Sequence, residues 1–419
     1  MIDLINNPDI LQTTGEIRRK AAAGQYLVSD IVLRDGGQEY QFVDLVLEGG
    51  GTLGIALVGY IHALEQAGIR FLGIGGSSVG AIVSLLAYSC GSRTEAKGEK
   101  LAAIVGDMNL GSMVDGKFFP RKLSNLLGKK DARLRTLRLV ASTVLSLPQI
   151  FFRLGLNPGD KLYEWISDRL KENGIQSMAD LDVLTGALPK GLCNRKTGKP
   201  ITNYDTSLKL VAADITTSTK VTFPDMAPMY WSDPDKVNPA GFVRASASIP
   251  VFFQPYTVNG ISDLIGNSDK WERLGGFTGK LSDKVSFADG GLLSNFPIDL
   301  FKRLGIPRAP TFGARLGSKY RTAKGIEKIG QYAGNLFNSM RHCTDYDFIF
   351  KNPLYNSLIA HIPTDKYNWL DFAMSPEDKL GLFREGVQSG YAFLECFNWE
   401  QYKALRAAEL EMYRVQKVK

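Results

Sequence analysis

Gly73-Ile74-Gly75-Gly76-Ser77-Ser78-Val79-Gly80 joins two apolar runs, Ile69 to Ile74 and Ala81 to Tyr88. The first run is short and reads as a buried strand; the second lacks breakers and reads as a helix. Between them Gly76-Ser77-Ser78-Val79-Gly80 fits GxSxG, whose flanking glycines let the chain turn sharply enough to lift one serine clear of a sheet. Ser78 is that serine. Standing at a helix N-terminus, it sits where backbone amides and the helix dipole favour developing negative charge.

Upstream, Val43 to Leu47 reads as a strand, followed by Glu48-Gly49-Gly50-Gly51-Thr52-Leu53-Gly54 and a helix-compatible run from Ile55 to Ala67, with Gly68 as its C′ residue. Strand, glycine loop, helix, strand, glycine turn, helix is a β-α-β-α order, which predicts a parallel sheet with helices on its faces. Downstream, Leu162 to Leu170 is an amphipathic helix and Leu208 to Ala212 a buried strand ending near Asp214. Val243 to Pro250 is a short helix stopped by proline, and Val258 to Lys280 a glycine-rich irregular insertion. Val285 to Ala288 is a last short strand before Asp289-Gly290-Gly291.

Residues 1–40 read as a peripheral arm or edge hairpin, 41–390 as the catalytic domain, and 391–419 as a C-terminal surface helix. Within 91–160, Arg133, Arg135 and Arg138 precede Leu139 to Leu147 and Phe151-Phe152. Basic residues beside an apolar face suit a lid or a membrane contact, with a core helix or subunit contact as the alternative.

Composition narrows the function classes. A chain of 419 residues with 44% hydrophobic content can bury a large core, and its net charge of +7 with a pI near 9.0 favours anionic partners. Cys90, Cys193, Cys343 and Cys396 are scattered without CxxC, so neither a zinc site nor a disulfide framework is expected. The start has no basic and apolar leader, and no stretch of about 18 apolar residues occurs. The chain reads as cytoplasmic, associating peripherally with membranes. Lys-Ser/Thr is missing after the glycines, as is GxGxxG spacing, which disfavours nucleotide loops. No nucleic-acid partner is expected.

A serine attacks a carbonyl only if a base takes its proton and something stabilises the oxyanion. Gly49-Gly50-Gly51 offers consecutive amides with no side chains in the way. Asp289, after a strand and before two glycines, is placed to accept the proton. The histidines are His62, His342 and His361. His62 lies inside an apolar helix and His342 in a polar stretch. His361 follows Leu358-Ile359-Ala360 and is the one candidate for a Ser-His-Asp triad. Asp214 is a reserve base, and Arg244 holds a loop or meets a phosphate.

At Asp44 to Gly51, Gly76 to Gly80, Arg244 to Pro250 with Phe252-Phe253, and Asp289-Gly290-Gly291 through Pro297, the chain resembles the patatin-like phospholipases. These blocks occur in the family's order, and the resemblance covers roughly residues 42 to 390. It implies an α/β class, three-layer α/β/α patatin-like fold with a mainly parallel central sheet. It also implies a Ser-Asp dyad hydrolysing acyl esters of phospholipids, a phospholipase A type reaction needing no metal or other cofactor. Carried over by position, Ser78 is the nucleophile, Asp289 the base, and Gly49, Gly50 and Gly51 the oxyanion loop, with Gly54, Gly76, Gly80, Gly290 and Gly291 supporting the motifs. Leu53 departs from the pattern, because the family usually carries Arg or Lys there.

The implied partner is a phospholipid membrane surface, as substrate. Bacterial members include injected toxins and defence effectors, so the resemblance also allows an activating protein or small-molecule signal, and a homo-oligomer. The rival from another class is a non-catalytic lipid-binding module of the same fold.

Overall fold

The apolar runs beside the glycine motifs become the middle of one mixed sheet. The structure is a computed structural model and describes residues 3–116, 152–205, 207–261, 267–319, 323, 325–327 and 329–418. The basic and apolar stretch at 133–151, read above as a lid or membrane contact, lies outside them.

The described strands are β1 (Ile31–Asp35), β2 (Gln38–Leu47), β3 (Ile69–Ser77), β4 (Gly155–Asn157), β5 (Cys193–Asn194), β6 (Leu208–Asp214), β7 (Thr219–Phe223), β8 (Val251–Phe253), β9 (Tyr256–Val258), β10 (Val285–Ala288), β11 (Thr311–Leu316) and β12 (Ile359–Ile362). The described helices are α1 (Pro8–Ala22), α2 (Gly54–Gln66), α3 (Val79–Ser89), α4 (Gly98–Asp107), α5 (Asp160–Glu172), α6 (Met178–Thr185), α7 (Ala240–Ser246), α8 (Asn267–Lys270), α9 (Ile329–Lys351), α10 (Pro376–Cys396) and α11 (Trp399–Val418).

Hydrogen bonding orders the large sheet β12-β11-β2-β3-β6-β10-β9, with β1, β5 and β7 off this path. The run from β12 to β6 is parallel throughout. Parallel strands buried on both faces carry near-continuous apolar runs, and Phe42 to Leu47 is buried residue after residue. With helices packed about this sheet the chain is a three-layer α/β/α fold.

Two expectations are corrected. Val285 to Ala288 is not the last strand, because β11 and β12 follow it. Both are short, and their pairing comes from neighbours distant in sequence: β11 aligns Thr311 with Asp44, and β12 aligns Ile359 with Gly313. Nor is the strand before Asp289 parallel to the others, since β10 runs antiparallel to β6, Phe287 opposite Asp214 and Ala288 opposite Ala213.

That reversal positions the site. A strand has two edges, and β7 occupies one edge of β6 over Leu210–Asp214. β3 pairs with β6 up to Val211 and β10 pairs with it from Ala213 onward. β3 and β10 therefore share the other edge end to end, and the chain leaving Ser77 meets the chain leaving Ala288 head-on. Phe287 anchors this four-residue strand with its ring 4.9 Å from Tyr230 and 5.7 Å from Phe223. Trp271, fully buried and 5.1 Å from Tyr230, closes the same aromatic group. The glycine-rich insertion thus contributes core as well as loop.

Residues 1–40 hold α1 and the start of a hairpin. Asn7 caps α1, accepting from the Asp9 amide at 3.1 Å, with Pro8 at its first position. Ile10 and Ile17 on its inner face are buried. β1 pairs antiparallel with β2 around Gly36 and Gly37, both at positive φ. The boundaries drawn at 40/41 and 390/391 fall inside β2 and α10. α10 crosses α2 at very close range: a methyl group added to Gly386 would lie 1.9 Å from the Ala56 carbonyl oxygen, and one on Gly59 2.1 Å from that of Phe383. α11 begins with Trp399, fully buried.

Candidate active site

Ser78 caps α3 with φ +53 and ψ −122. A non-glycine residue at positive φ costs about 1–3 kcal/mol and persists only where surroundings over-determine it. Here the turn sits directly on the end of β2. A methyl group added to Gly80 would stand 2.2 Å from the Leu47 carbonyl oxygen, and one on Gly76 2.5 Å from the same atom. The Ser78 amide donates to Ser246 Oγ at 2.9 Å, and Ser246 Oγ donates to the Val211 carbonyl at 2.5 Å. α7 thereby holds the elbow from the side.

Asp289 meets Ser78 directly, with Ser78 Oγ donating to Asp289 Oδ2 at 2.5 Å. Asp289 Oδ1 accepts from the Gly291 amide at 2.8 Å, and the Asp289 amide donates to the Ser248 carbonyl at 2.8 Å. Gly290 is forced by crowding: a methyl group there would lie 2.0 Å from the Val211 carbonyl oxygen and 2.7 Å from Ser77 Oγ. Ser78 and Asp289 are each 3% exposed. Burial pushes the Asp289 carboxyl above its ordinary range, while Arg341, the Ser78 hydroxyl and the Gly291 amide pull it back.

The three loop glycines serve different ends. The Gly49 amide donates to the Asn295 carbonyl at 2.9 Å, so it is not available to an oxyanion. That corrects its expected role. A methyl group on Gly49 would come within 2.5 Å of Asn295 Oδ1 and 3.0 Å of Ser78 Cβ, so glycine is required there for close approach. The Gly50 and Gly51 amides have no acceptor among the described residues. Gly51 has φ +56, and a methyl group on it would lie 2.2 Å from the Trp369 carbonyl oxygen. Glu48, nearly fully buried, precedes the loop and accepts from the Leu316 amide at 2.5 Å and from Arg315 Nε at 3.4 Å. Burial raises its carboxyl to about 6.

Other candidates fall away from the reaction. His361 lies on β12, three strands from β3. At about 4.8 Å per strand this is roughly 14 Å, beyond any hydrogen bond to Ser78. Burial and the nearby Arg315 hold its imidazole down at about 4. His62 is buried with its ring 5.8 Å from that of Phe383. His342 Nδ1 stands 3.9 Å from Glu48 Oε1. Asp214 is occupied by the Thr216 and Thr217 amides and the Thr217 and Tyr230 hydroxyls. Arg244 is spent on structure, donating to the carbonyls of Gly159, Pro158 and Gln254 and to Ser248 Oγ.

Two side chains that hold the surroundings of Ser78 and Asp289 escaped the sequence reading. Arg341 Nη2 donates to Asn295 Oδ1 at 2.7 Å and to the Gly49 carbonyl at 3.2 Å. Asp345, one turn further along α9, accepts from Ser294 Oγ and from the amides of Asn295 and Phe296 at 2.7–2.8 Å. The signal available was their spacing, since residues four apart share a helix face.

From Ser78 an apolar pocket of about 710 Å³, its open mouth included, runs along α3. Val79, Ile82, Val83 and Leu86 of α3 line it, together with Trp165 and Phe253. The spacing 79, 82, 83, 86 is a single helix face. Among the described residues no cluster suited to a metal ion occurs, and no helix is long and apolar enough to cross a membrane.

A family model described as patatin-like phospholipase matches residues 45–302. Uncharacterized protein YqhO of Bacillus subtilis (strain 168) is 29% identical over 362 residues, spanning 85% of this chain and 100% of that protein. Lysophospholipase nte1 of Aspergillus niger is 57% identical over 44 residues, 10% of this chain and 3% of that protein. Among solved structures, VipD from Legionella pneumophila aligns at 16% identity and a TM-score of 0.42, over 88% of this chain and 70% of that one.

Proposed function

The chain belongs to the patatin-like phospholipase family and is an ester hydrolase acting on acyl lipids, and we propose that it cleaves fatty acyl esters of phospholipids through Ser78, Asp289 and an acyl-enzyme. The observation that carries this reading is the 2.5 Å hydrogen bond from Ser78 Oγ to Asp289 Oδ2, with Ser78 in the lining of the apolar pocket.

In the reaction, Asp289 takes the hydroxyl proton as Ser78 Oγ bonds to the ester carbonyl carbon. The carbonyl π pair moves onto oxygen, where the amides of Gly50 and Gly51 and the positive end of α3 stabilise it. When the oxyanion collapses, the ester C–O bond breaks and the leaving alkoxide takes the proton from Asp289, departing as a lysophospholipid. Water then attacks the acyl-enzyme, gives its proton to Asp289, and releases the fatty acid while Ser78 recovers its proton. The acyl chain lies in the α3 pocket, where each buried methylene contributes about 0.8 kcal/mol of binding. The membrane surface is the place of work, a reading supported by the net charge of +7. We assign the catalytic unit to the span from β2 through α10, which reaches past the family match, because Arg341 and Trp369 beyond that match hold the glycine loop.

The test is lipid mass spectrometry of mixed phospholipid vesicles incubated with wild-type, Ser78→Ala and Asp289→Asn protein. Free fatty acid and lysophospholipid should appear with the wild type alone. Wild-type product yield from either variant overturns the scheme.

A further inference from the structure

An aspartate serving as base must be ionised, and an oxyanion amide must point at its target. Both demands converge on one side chain outside the glycine and GxSxG motifs. Arg341, on α9 and only 8% exposed, reaches the glycine loop at the Gly49 carbonyl.

We propose that Arg341 is a positioning residue: it pins the Gly49 carbonyl so that the amide of the same peptide faces the oxyanion, and it sets a fixed positive charge against Asp289. The inference rests on the reading of Ser78, Asp289 and the Gly50 amide given above.

The first half follows from peptide geometry. The Gly49 carbonyl and the Gly50 amide belong to one planar trans peptide, so they point in opposite directions. Arg341 Nη2 at 3.2 Å and Asn295 Nδ2 at 3.0 Å both donate to that carbonyl oxygen. Fixing the oxygen there turns the Gly50 N–H the other way. Two donors on the carbonyl, one of them charged, also polarise the peptide and strengthen its amide as a donor. A glycine pair left unpinned would rotate freely between conformations. Arg341 is itself held by Asn295 Oδ1 at 2.7 Å and lies over the Trp369 ring, 5.3 Å from its centroid.

The second half follows from proximity. A methyl group placed on Gly291 would lie 2.8 Å from Asp289 Oδ1 and 3.2 Å from Arg341 Nε, so guanidinium and carboxylate stand within about 6 Å of each other. At that separation an opposite charge favours the carboxylate. It is the largest influence opposing burial at Asp289. The other charged groups nearby are occupied elsewhere: Glu48 faces Arg315 and His342, and Asp345 binds Ser294, Asn295 and Phe296. Arg341 also pulls the Glu48 carboxyl down, so Glu48 would move upward together with Asp289 when that charge is lost, and the acid limb is compared with that of Glu48→Gln.

Four variants, Arg341→Met, Arg341→Lys, Glu48→Gln and Ser78→Ala, are assayed as full-length protein on phospholipid vesicles and on a soluble nitrophenyl ester, with kcat and KM measured from acid to neutral pH. Arg341→Met should lose about 10²–10³-fold in kcat with KM within about twofold, the scale of losing an oxyanion donor. Its acid limb should move to higher pH by about one unit or more, because the carboxylate has lost the charge that favoured it. Arg341→Lys keeps the charge, so its acid limb should stay near that of wild type while kcat recovers only in part.

An Arg341→Met enzyme with wild-type kcat and an unmoved acid limb overturns the inference. So does a kcat loss with the acid limb unmoved, which marks a merely structural role. If Arg341→Met does not fold, a displaced acid limb in Arg341→Lys overturns it instead. Wild-type activity in Ser78→Ala sinks the dyad reading itself, whereas an inactive Ser78→Ala beside an unaffected Arg341→Met sinks only the role of Arg341.

Discussion

Asp44 and Asp289 are both buried aspartates near an arginine, yet they are held in opposite ways. Asp44, fully buried, has every direction filled: Oδ1 accepts from the Gly73 amide at 3.0 Å, and Oδ2 takes the Tyr204 hydroxyl at 3.1 Å and the Arg303 guanidinium in direct contact. Asp289 has one oxygen on a backbone amide and the other on a hydroxyl, with its arginine held a few ångströms away by other partners. Burial pushes both carboxyls up. A carboxylate locked to a guanidinium cannot take up a proton without losing that bond. One that faces a hydroxyl at 2.5 Å is already aligned to receive it. The lesson is that the site differs from a structural ion pair by where its cation stands.

The sharpest way to break this contrast is at the dyad. Asp289→Asn keeps the shape but cannot accept the proton, so kcat should fall about 10⁴-fold, and Ser78→Ala at least as far, with melting temperatures no lower than wild type. Retention of a tenth of wild-type kcat by Asp289→Asn would erase the distinction drawn here.

Asp44→Ala should do the reverse. Leaving Arg303 without its buried partner destabilises the fold by about 3–5 kcal/mol, read as a lower denaturant midpoint, while the folded fraction keeps its kcat. A variant that melts like wild type but has lost turnover would show that Asp44 is part of the machinery.

The pocket sharpens the comparison on the catalytic side. Val83→Trp fills the α3 wall and should shift preference toward shorter acyl chains by about tenfold in kcat/KM, measured across an ester series. An unchanged chain-length profile would place the acyl chain elsewhere.

The smallest effect is expected at His361. His361 is half-buried beside Arg315 on the outer strand β12, so His361→Ala should leave kcat within about twofold, and a loss of orders of magnitude would restore the triad.

How much of this was legible in the sequence depended on distance along the chain. The elbow, the glycine loop and Asp289-Gly290-Gly291 could be read because each is a local demand: a strand end, a turn, and no room for a side chain. The helix read at Leu162 to Leu170 and the strand read at Leu208 to Ala212 fall within the observed Asp160–Glu172 and Leu208–Asp214, because each carries its own apolar pattern. Strands β11 and β12 were missed because four to six residues carry too little pattern, and their register comes from strands far away in sequence. Helix α1 was missed although Asn7-Pro8 is a start signal, because its apolar face is sparse.

The sequence by itself determined which residues carry reactive groups and where the backbone must turn, since those properties belong to single side chains and short windows. Only the tertiary structure decided that β10 runs against β6 and meets β3 end to end, that the Gly49 amide is spent on Asn295, and that Arg341 arrives from α9. The physical reason is that hydrogen-bond saturation and the field at a buried carboxylate are set by every group packed around it, and most of those groups are remote in the chain.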